Sequence, residues 1–71
     1  MSNVEHIYRA ALTADDRFHK ELVRVFGKRR AGDMRYRADQ WPDDRRLKAA
    51  LIRFRRANDR WMKIMRTHRP G

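Results

Sequence analysis

Apolar residues recur at helical spacing along the N-terminal third of the chain. They fall three or four residues apart, which is the spacing of one face of an α-helix. Ser2 followed by Glu5 also fits a capping box at the start of such a helix. The apolar positions form two sets in nearly the same phase: Val4, Ile7, Tyr8, Ala11 and Leu12, then Phe18, Leu22, Val25 and Phe26.

A polar interval around Thr13 separates these two sets. In an unbroken helix Asp15 would lie within the apolar face, and burying an unpaired carboxylate there is costly. We therefore favour two helices, over about residues 3–12 and 14–30, with Thr13 as the N-cap of the second. A single helix over residues 3–26 is the alternative.

The middle of the chain has no sustained period. Gly27 and Gly32 both offer helix stops, and the basic residues between them suit the negative end of a helix dipole. Residues 32–42 are predicted to form a connection that contains at most a short turn. Three of its side chains would cover the core from outside: Met34, Tyr36 and Trp41.

The clearest prediction is a long last helix over about residues 43–67. Pro42 suits a first helical position, and Asp43 and Asp44 place negative charge in the first turn. Residues 68–71 include a proline and a glycine, so they are predicted to fray. The apolar face of this helix continues for about five turns through Leu47, Ala50, Leu51, Phe54, Ala57, Trp61, Ile64 and Met65.

Two segments resemble each other at an offset of 28 residues. Residues 8–18 read YRAALTADDRF and residues 36–46 read YRADQWPDDRR. We interpret DDR as a repeated helix-start signal, because acidic residues stabilise the positive end of a helix dipole. Duplication of an ancestral segment is the alternative, although the apolar positions of the two copies do not align.

The helical spacing of the apolar residues predicts an all-α fold. We expect residues 1–71 to form one domain, a small helical hairpin or three-helix domain with a long basic C-terminal amphipathic helix. A chain of 71 residues without cysteine is near the lower limit for a single unassisted core. We therefore expect a homodimer.

The chain shows neither a signal sequence nor an apolar run approaching 18 residues. We expect a soluble, cytoplasmic protein. Association of the last helix with a membrane surface is disfavoured, because its apolar face is needed for the core.

Charge is the most informative feature for function. The formal net charge is +10, and 15 of the 19 basic residues are arginine. Nine basic and six acidic residues precede residue 43, whereas ten basic and three acidic residues follow from there. A chain of this kind is attracted to polyanions, and arginine binds phosphate bidentately.

The polar side of the last helix carries the candidate contacts. Its cations mostly repel one another, which is tolerable when a polyanion covers them. The competing interpretation is a solvated arginine-rich face with no ligand. The predicted phosphate contacts are Arg45, Arg53, Arg56, Arg60 and Lys63 on this helix, with Arg29, Arg30, Arg35 and Arg37 before it. The predicted stacking or interface residues are Tyr36, Trp41 and Trp61.

These residues predict a nucleic-acid-binding accessory protein that grips the phosphate backbone with little sequence specificity. The alternative is a small regulator or inhibitor, of the type that mobile elements encode, docking on an acidic or nucleic-acid-binding face of a larger protein. We expect no enzyme, because there is no cysteine, the only serine is Ser2 and the three histidines are dispersed. No motif for a metal or another cofactor is present.

Overall fold

The computed structural model describes residues 3–67 and contains helices and no strands within them. Helix α1 spans Asn3–Phe26, α2 spans Lys28–Met34 and α3 spans Arg45–Thr67, with a 3-10 turn over Ala38–Gln40 between α2 and α3. The all-α prediction is confirmed. Ser2 of the predicted capping box and the predicted frayed residues 68–71 lie outside the described residues.

Helix α1 passes through Thr13 without interruption, so the predicted break there is wrong. The argument for a break required an unpaired Asp15 carboxylate inside the apolar face. In the structure this carboxylate accepts a hydrogen bond from Arg35, and 45% of the Asp15 side chain is exposed. With a guanidinium partner and water access, the carboxylate no longer opposes a continuous helix.

Helix α1 ends at Phe26, four residues before the predicted boundary at residue 30, and Gly27 separates it from α2. Gly27 has φ of +84°, a conformation that side chains with a Cβ atom rarely adopt. Helix α2 then occupies residues predicted partly as helix end and partly as connection, and Gly32 lies inside it. Helix α2 was missed because only Ala31 and Met34 of its seven residues are buried, too few to show a period.

Helix α3 begins at Arg45, and Asp44 serves as its N-cap. The Leu47 amide donates to the Asp44 carboxylate at 2.9 Å. Pro42 therefore precedes the helix, and its predicted place in the first turn is wrong. The interpretation of DDR as a repeated helix start is also wrong for the first copy, because residues 15–17 lie in the middle of α1.

Helices α1 and α3 pack antiparallel as a hairpin. Phe18 stacks on Phe54 with ring centroids 5.4 Å apart, and Tyr8 meets Trp61 at 4.8 Å. We call the end where α1 finishes and α3 starts the closed end, and the opposite end the open end. The order of the contacts fixes the antiparallel direction, since earlier residues of α1 meet later residues of α3.

The core lies toward the closed end. Phe18, Leu22 and Leu47 are at most 1% exposed, and α2 adds Ala31 and Met34 to the buried set. Helix α2 packs against α1, and its Ala31 joins Phe18, Leu22 and Leu47 in one buried cluster. Helix α2 therefore lies over one face of the closed half of the hairpin.

Trp41 seals this core from the connection before α3. Its indole Nε1 donates to the Met34 carbonyl at 2.6 Å, and its ring lies 5.9 Å from that of Phe18. Met34 and Trp41 thus cover the core as predicted. Tyr36 does not, since it is 84% exposed, and that prediction is wrong.

Candidate functional site

A groove runs between α1 and α3 on the face of the hairpin away from α2. Asp15, which contacts Arg35, and Arg17, which lines the groove, are two residues apart and point in nearly opposite directions, about 160° apart around α1. The groove consists of a cavity of about 780 Å³ and an adjoining one of about 260 Å³ toward the open end. We call this feature the basic groove.

Each helix contributes one continuous stripe to the basic groove. The stripes alternate steps of three and four residues, which keeps their side chains on one helix face. The α1 stripe is His6, Ala10, Thr13, Arg17 and Lys20, and the α3 stripe is Arg46, Ala49, Arg53, Arg56 and Arg60.

Small side chains form the floor of the groove, and long basic ones form its walls. The floor consists of alanines, whose short side chains leave the space between the two helices unfilled. The floor residues are Ala10, Ala14, Ala49, Ala50 and Ala57. The groove-lining cations are Arg9, Arg17, Lys20, Arg46, Arg53, Arg56 and Arg60, and the one acidic lining residue is Glu21.

Three of the seven groove cations pair with acidic side chains. Arg9 lies 2.9 Å from Glu5, and Lys20 lies 3.0 Å from Asp16. Arg46 reaches Glu21 at 3.4 Å. The other four have no carboxylate partner within residues 3–67: Arg17, Arg53, Arg56 and Arg60.

A compensated charge cluster bounds the groove at the closed end. Arg24 donates to Asp44 at 2.8 and 3.0 Å and to Glu21 at 3.0 Å. These hydrogen bonds, first the one that Glu21 accepts and then those that Asp44 accepts, raise the pKa of the Arg24 guanidinium. The Leu47 amide, followed by the Arg24 guanidinium, lowers the pKa of Asp44 below its usual range. The groove cations without a carboxylate partner therefore lie beyond this cluster, toward the open end.

The structure brings three of the predicted α3 contacts together in one wall of the groove: Arg53, Arg56 and Arg60. Arg45 and Lys63 do not line the cavities. Both are exposed, and their helical positions place them on the outer side of that same wall.

The predicted contacts before α3 do not join the groove. Arg29 and Arg30 are exposed on α2, and Arg37 pairs with Asp33 at 3.4 Å. Arg35 is part of the packing, because its guanidinium lies 5.1 Å from the Phe18 ring and 4.9 Å from the Phe54 ring and also pairs with Asp15.

The three predicted stacking residues have different environments. Trp41 and Trp61 are partly buried and packed against Phe18 and Tyr8 respectively. Tyr36 alone of the three presents an open ring, and it does not line the groove. The basic groove itself therefore has cations and alanines but no aromatic platform among its described lining residues.

The α1 wall was missed by reasoning from the sequence. Its signal was present, since residues 6, 10, 13, 17 and 20 share one helix face. The predicted break at Thr13 divided this stripe between two helices, so Arg17 and Lys20 were not connected with His6. Arg46 was missed as well, because its side of α3 faces α1 only once the hairpin forms.

No protein-family model, curated protein or solved structure matches this chain. Within the described residues, no group of three or more histidine, cysteine, aspartate or glutamate side chains converges to hold a metal ion. None of the described helices combines the length and apolar character needed to cross a membrane.

Proposed function

We propose that this protein binds nucleic acid by holding the phosphate backbone along the basic groove, with little sequence preference. The observation that carries the proposal is the set of guanidinium groups on both walls that have no carboxylate partner among the described residues: Arg17, Arg53, Arg56 and Arg60.

The chemistry of these groups favours phosphate as the ligand. Arginine presents a planar fork of donors that matches phosphate oxygens. Like charges three to four residues apart, such as Arg53, Arg56 and Arg60, destabilise a helix that stands alone. A row of phosphates over the groove would attract each of these guanidinium groups and so offset their repulsion of one another.

The dimensions of the groove favour backbone contacts over base reading. The molecule measures 20 Å or more across in every direction, whereas the major groove of B-form DNA is about 12 Å wide. A face built from two adjacent helices is therefore too wide to reach base edges. Arg46 and Arg60 are about 21 Å apart along α3, the length occupied by about six phosphates of one DNA strand.

A pair of charge reversals on α3 tests the proposal against a matched control. The variant Arg56→Glu with Arg60→Glu removes two groove cations. The control, Arg29→Glu with Arg30→Glu, makes the same change in net charge on α2, where both residues are exposed and do not line the groove. Binding to a fluorescent duplex is measured at 0.1 M salt, and circular dichroism checks helix content.

We expect the groove variant to lose at least about 50-fold in affinity, because two phosphate contacts disappear, while the control loses less than about threefold. Equal losses in both variants would show that net charge alone drives binding. No binding by the unmodified protein would remove nucleic acid as the ligand and leave an acidic protein face as the partner to test.

A further inference from the structure

The open end of the hairpin carries a cluster of exposed apolar side chains beside the Tyr8–Trp61 contact. Exposed fractions are 43% for Tyr8, 51% for Leu12, 46% for Met62 and 52% for Met65. We call these four side chains the open-end patch. Large apolar side chains grouped in this way on a small protein mark an interaction surface.

The open-end patch continues the face that α2 covers at the closed end. Residues seven apart lie within about 20° of each other on a helix. Tyr8 therefore shares a face of α1 with Asp15, seven residues later, which contacts Arg35. Met65 shares a face of α3 with Leu51, fourteen residues earlier, which packs against the core. Helix α2 thus covers the closed half of this face and leaves the open half without a cover among the described residues.

We infer that the open-end patch pairs with the same patch of a second copy of this chain. Its surroundings carry both signs of charge, which suits a surface that must complement itself. Among the charged side chains within seven residues of patch members, Asp59 is acidic and Arg55 and Arg66 are basic. All three are exposed, and none has an ion-pair partner among the described residues. The walls of the basic groove, in contrast, are almost wholly cationic and would repel their own copy.

The net charge of +10 does not prevent this pairing. With the patches in contact, the two basic grooves lie on the outer faces of the dimer. The thickness of the protein, 20 Å for one copy, separates them, whereas charges are screened beyond about 8 Å at physiological ionic strength. The remaining repulsion between the two grooves should weaken as salt rises.

This arrangement has a consequence that rests on the proposed function. Two grooves facing away from each other would let one dimer hold two duplex segments at once. The protein would then bridge nucleic acid, and the open-end patch would control bridging without touching the nucleic acid.

Sedimentation analysis of the full chain across a concentration series, without nucleic acid, tests the pairing. We compare Met65→Glu with Ile52→Glu. Both side chains are on α3 and are 52% and 50% exposed, but Ile52 lies about 15 Å along the helix from Met62, toward the closed end and outside the patch. We expect Met65→Glu to raise the dimer Kd at least about tenfold and Ile52→Glu to change it less than threefold.

Three results would overturn the inference: a monomer at every concentration, an unchanged dimer in Met65→Glu, or equal weakening in both variants. Circular dichroism of each variant shows whether the fold is retained. A second variant in the patch, Leu12→Glu, repeats the test from α1. If Met65→Glu fails to fold, the dimer Kd of Leu12→Glu decides the question instead.

A bridging assay separates this inference from the proposed function. A biotinylated duplex on beads is mixed with a free fluorescent duplex and the protein. We expect capture of the fluorescent duplex by the unmodified protein and at least a fivefold loss with Met65→Glu, while affinity for a single duplex is retained. Duplex binding without any bridging would contradict the dimer but leave the proposed function standing. A dimer that binds no duplex would contradict the proposed function but leave the dimer standing.

Discussion

The two faces of the α1–α3 hairpin are made by the same helices but differ in their chemistry. On the face that α2 covers, apolar side chains surround Phe18 and Leu22, and Arg35 is neutralised by Asp15. On the groove face, alanines lie between cations, and four of these cations have no carboxylate partner among the described residues. One face holds the buried apolar core, and the other holds the cations on which the proposed function rests.

The difference follows from which apolar residues occupy each stripe. A buried phenylalanine or leucine removes a large apolar area from water, whereas alanine removes little. Placing alanine at the inner positions of the groove face keeps the helices close without filling the space above them. Stability and binding should therefore respond to different substitutions, and this separation can be tested.

Phe18→Ala should have the largest effect on stability. Phe18 is 1% exposed and stacks on Phe54 at the centre of the core. Removing such a ring costs about 3–5 kcal/mol, a large part of the stability of a small domain. Urea unfolding, monitored by circular dichroism, measures this loss in the free energy of unfolding. Leu12→Ala, at a half-exposed position, is the control and should cost less than about 1 kcal/mol.

Arg35→Met should have an intermediate effect and would show that this arginine belongs to the α2 face. The substitution removes the cation from the Phe18 and Phe54 rings and leaves Asp15 without its partner. We expect a loss of about 1–2 kcal/mol in the free energy of unfolding, with duplex affinity unchanged while the protein is folded. An affinity loss as large as that of a groove variant would instead place Arg35 in the binding surface.

Arg17→Glu should weaken duplex binding and leave stability nearly unchanged, the opposite of Arg35→Met. Arg17 is exposed, lines the groove and has no ion-pair partner among the described residues. We expect the free energy of unfolding to change by at most about 0.5 kcal/mol, while duplex affinity falls roughly tenfold at 0.1 M salt. If affinity is retained, α1 does not form a wall of the binding site.

Asp44→Asn should have the smallest effect and a distinctive pH dependence. Asparagine keeps the N-cap hydrogen bond to Leu47 but loses the charge that pairs with Arg24. Because the pKa of Asp44 is lowered in the folded state, its ionised form stabilises the fold above the usual carboxyl pKa. That contribution is lost as the pH falls through the folded-state pKa, below about pH 4.

Thermal unfolding at several pH values tests this directly. Asp44→Asn should unfold at a lower temperature than the unmodified protein at pH 7, and the gap should close on acidification below pH 4. A gap that is constant with pH would mean that the charge of Asp44 does not contribute.

The helical class, helix α3 and most of the core could be predicted from the sequence, because local apolar spacing determines them. Leu47, Phe54 and Trp61 all face α1 as their spacing implied. The continuity of α1 could not be predicted, because it depends on Arg35, a partner 20 residues away from Asp15.

The candidate site was predictable only on one side. Arg53, Arg56 and Arg60 share a face of one helix, which spacing alone reveals. The opposite wall, with Arg17 and Lys20, depends on how α1 and α3 pair, and no local pattern contains that information. A surface assembled from two helices is visible only after both have been placed.

The most direct test of the basic groove is the salt dependence of duplex binding between about 50 and 200 mM salt. If Arg17, Arg53, Arg56 and Arg60 each neutralise one phosphate, log Kd plotted against log salt should be linear with a slope of about 3 to 4. Arg56→Glu with Arg60→Glu should lower that slope by about two. A slope near zero, or one that this substitution leaves unchanged, would contradict phosphate binding in the groove.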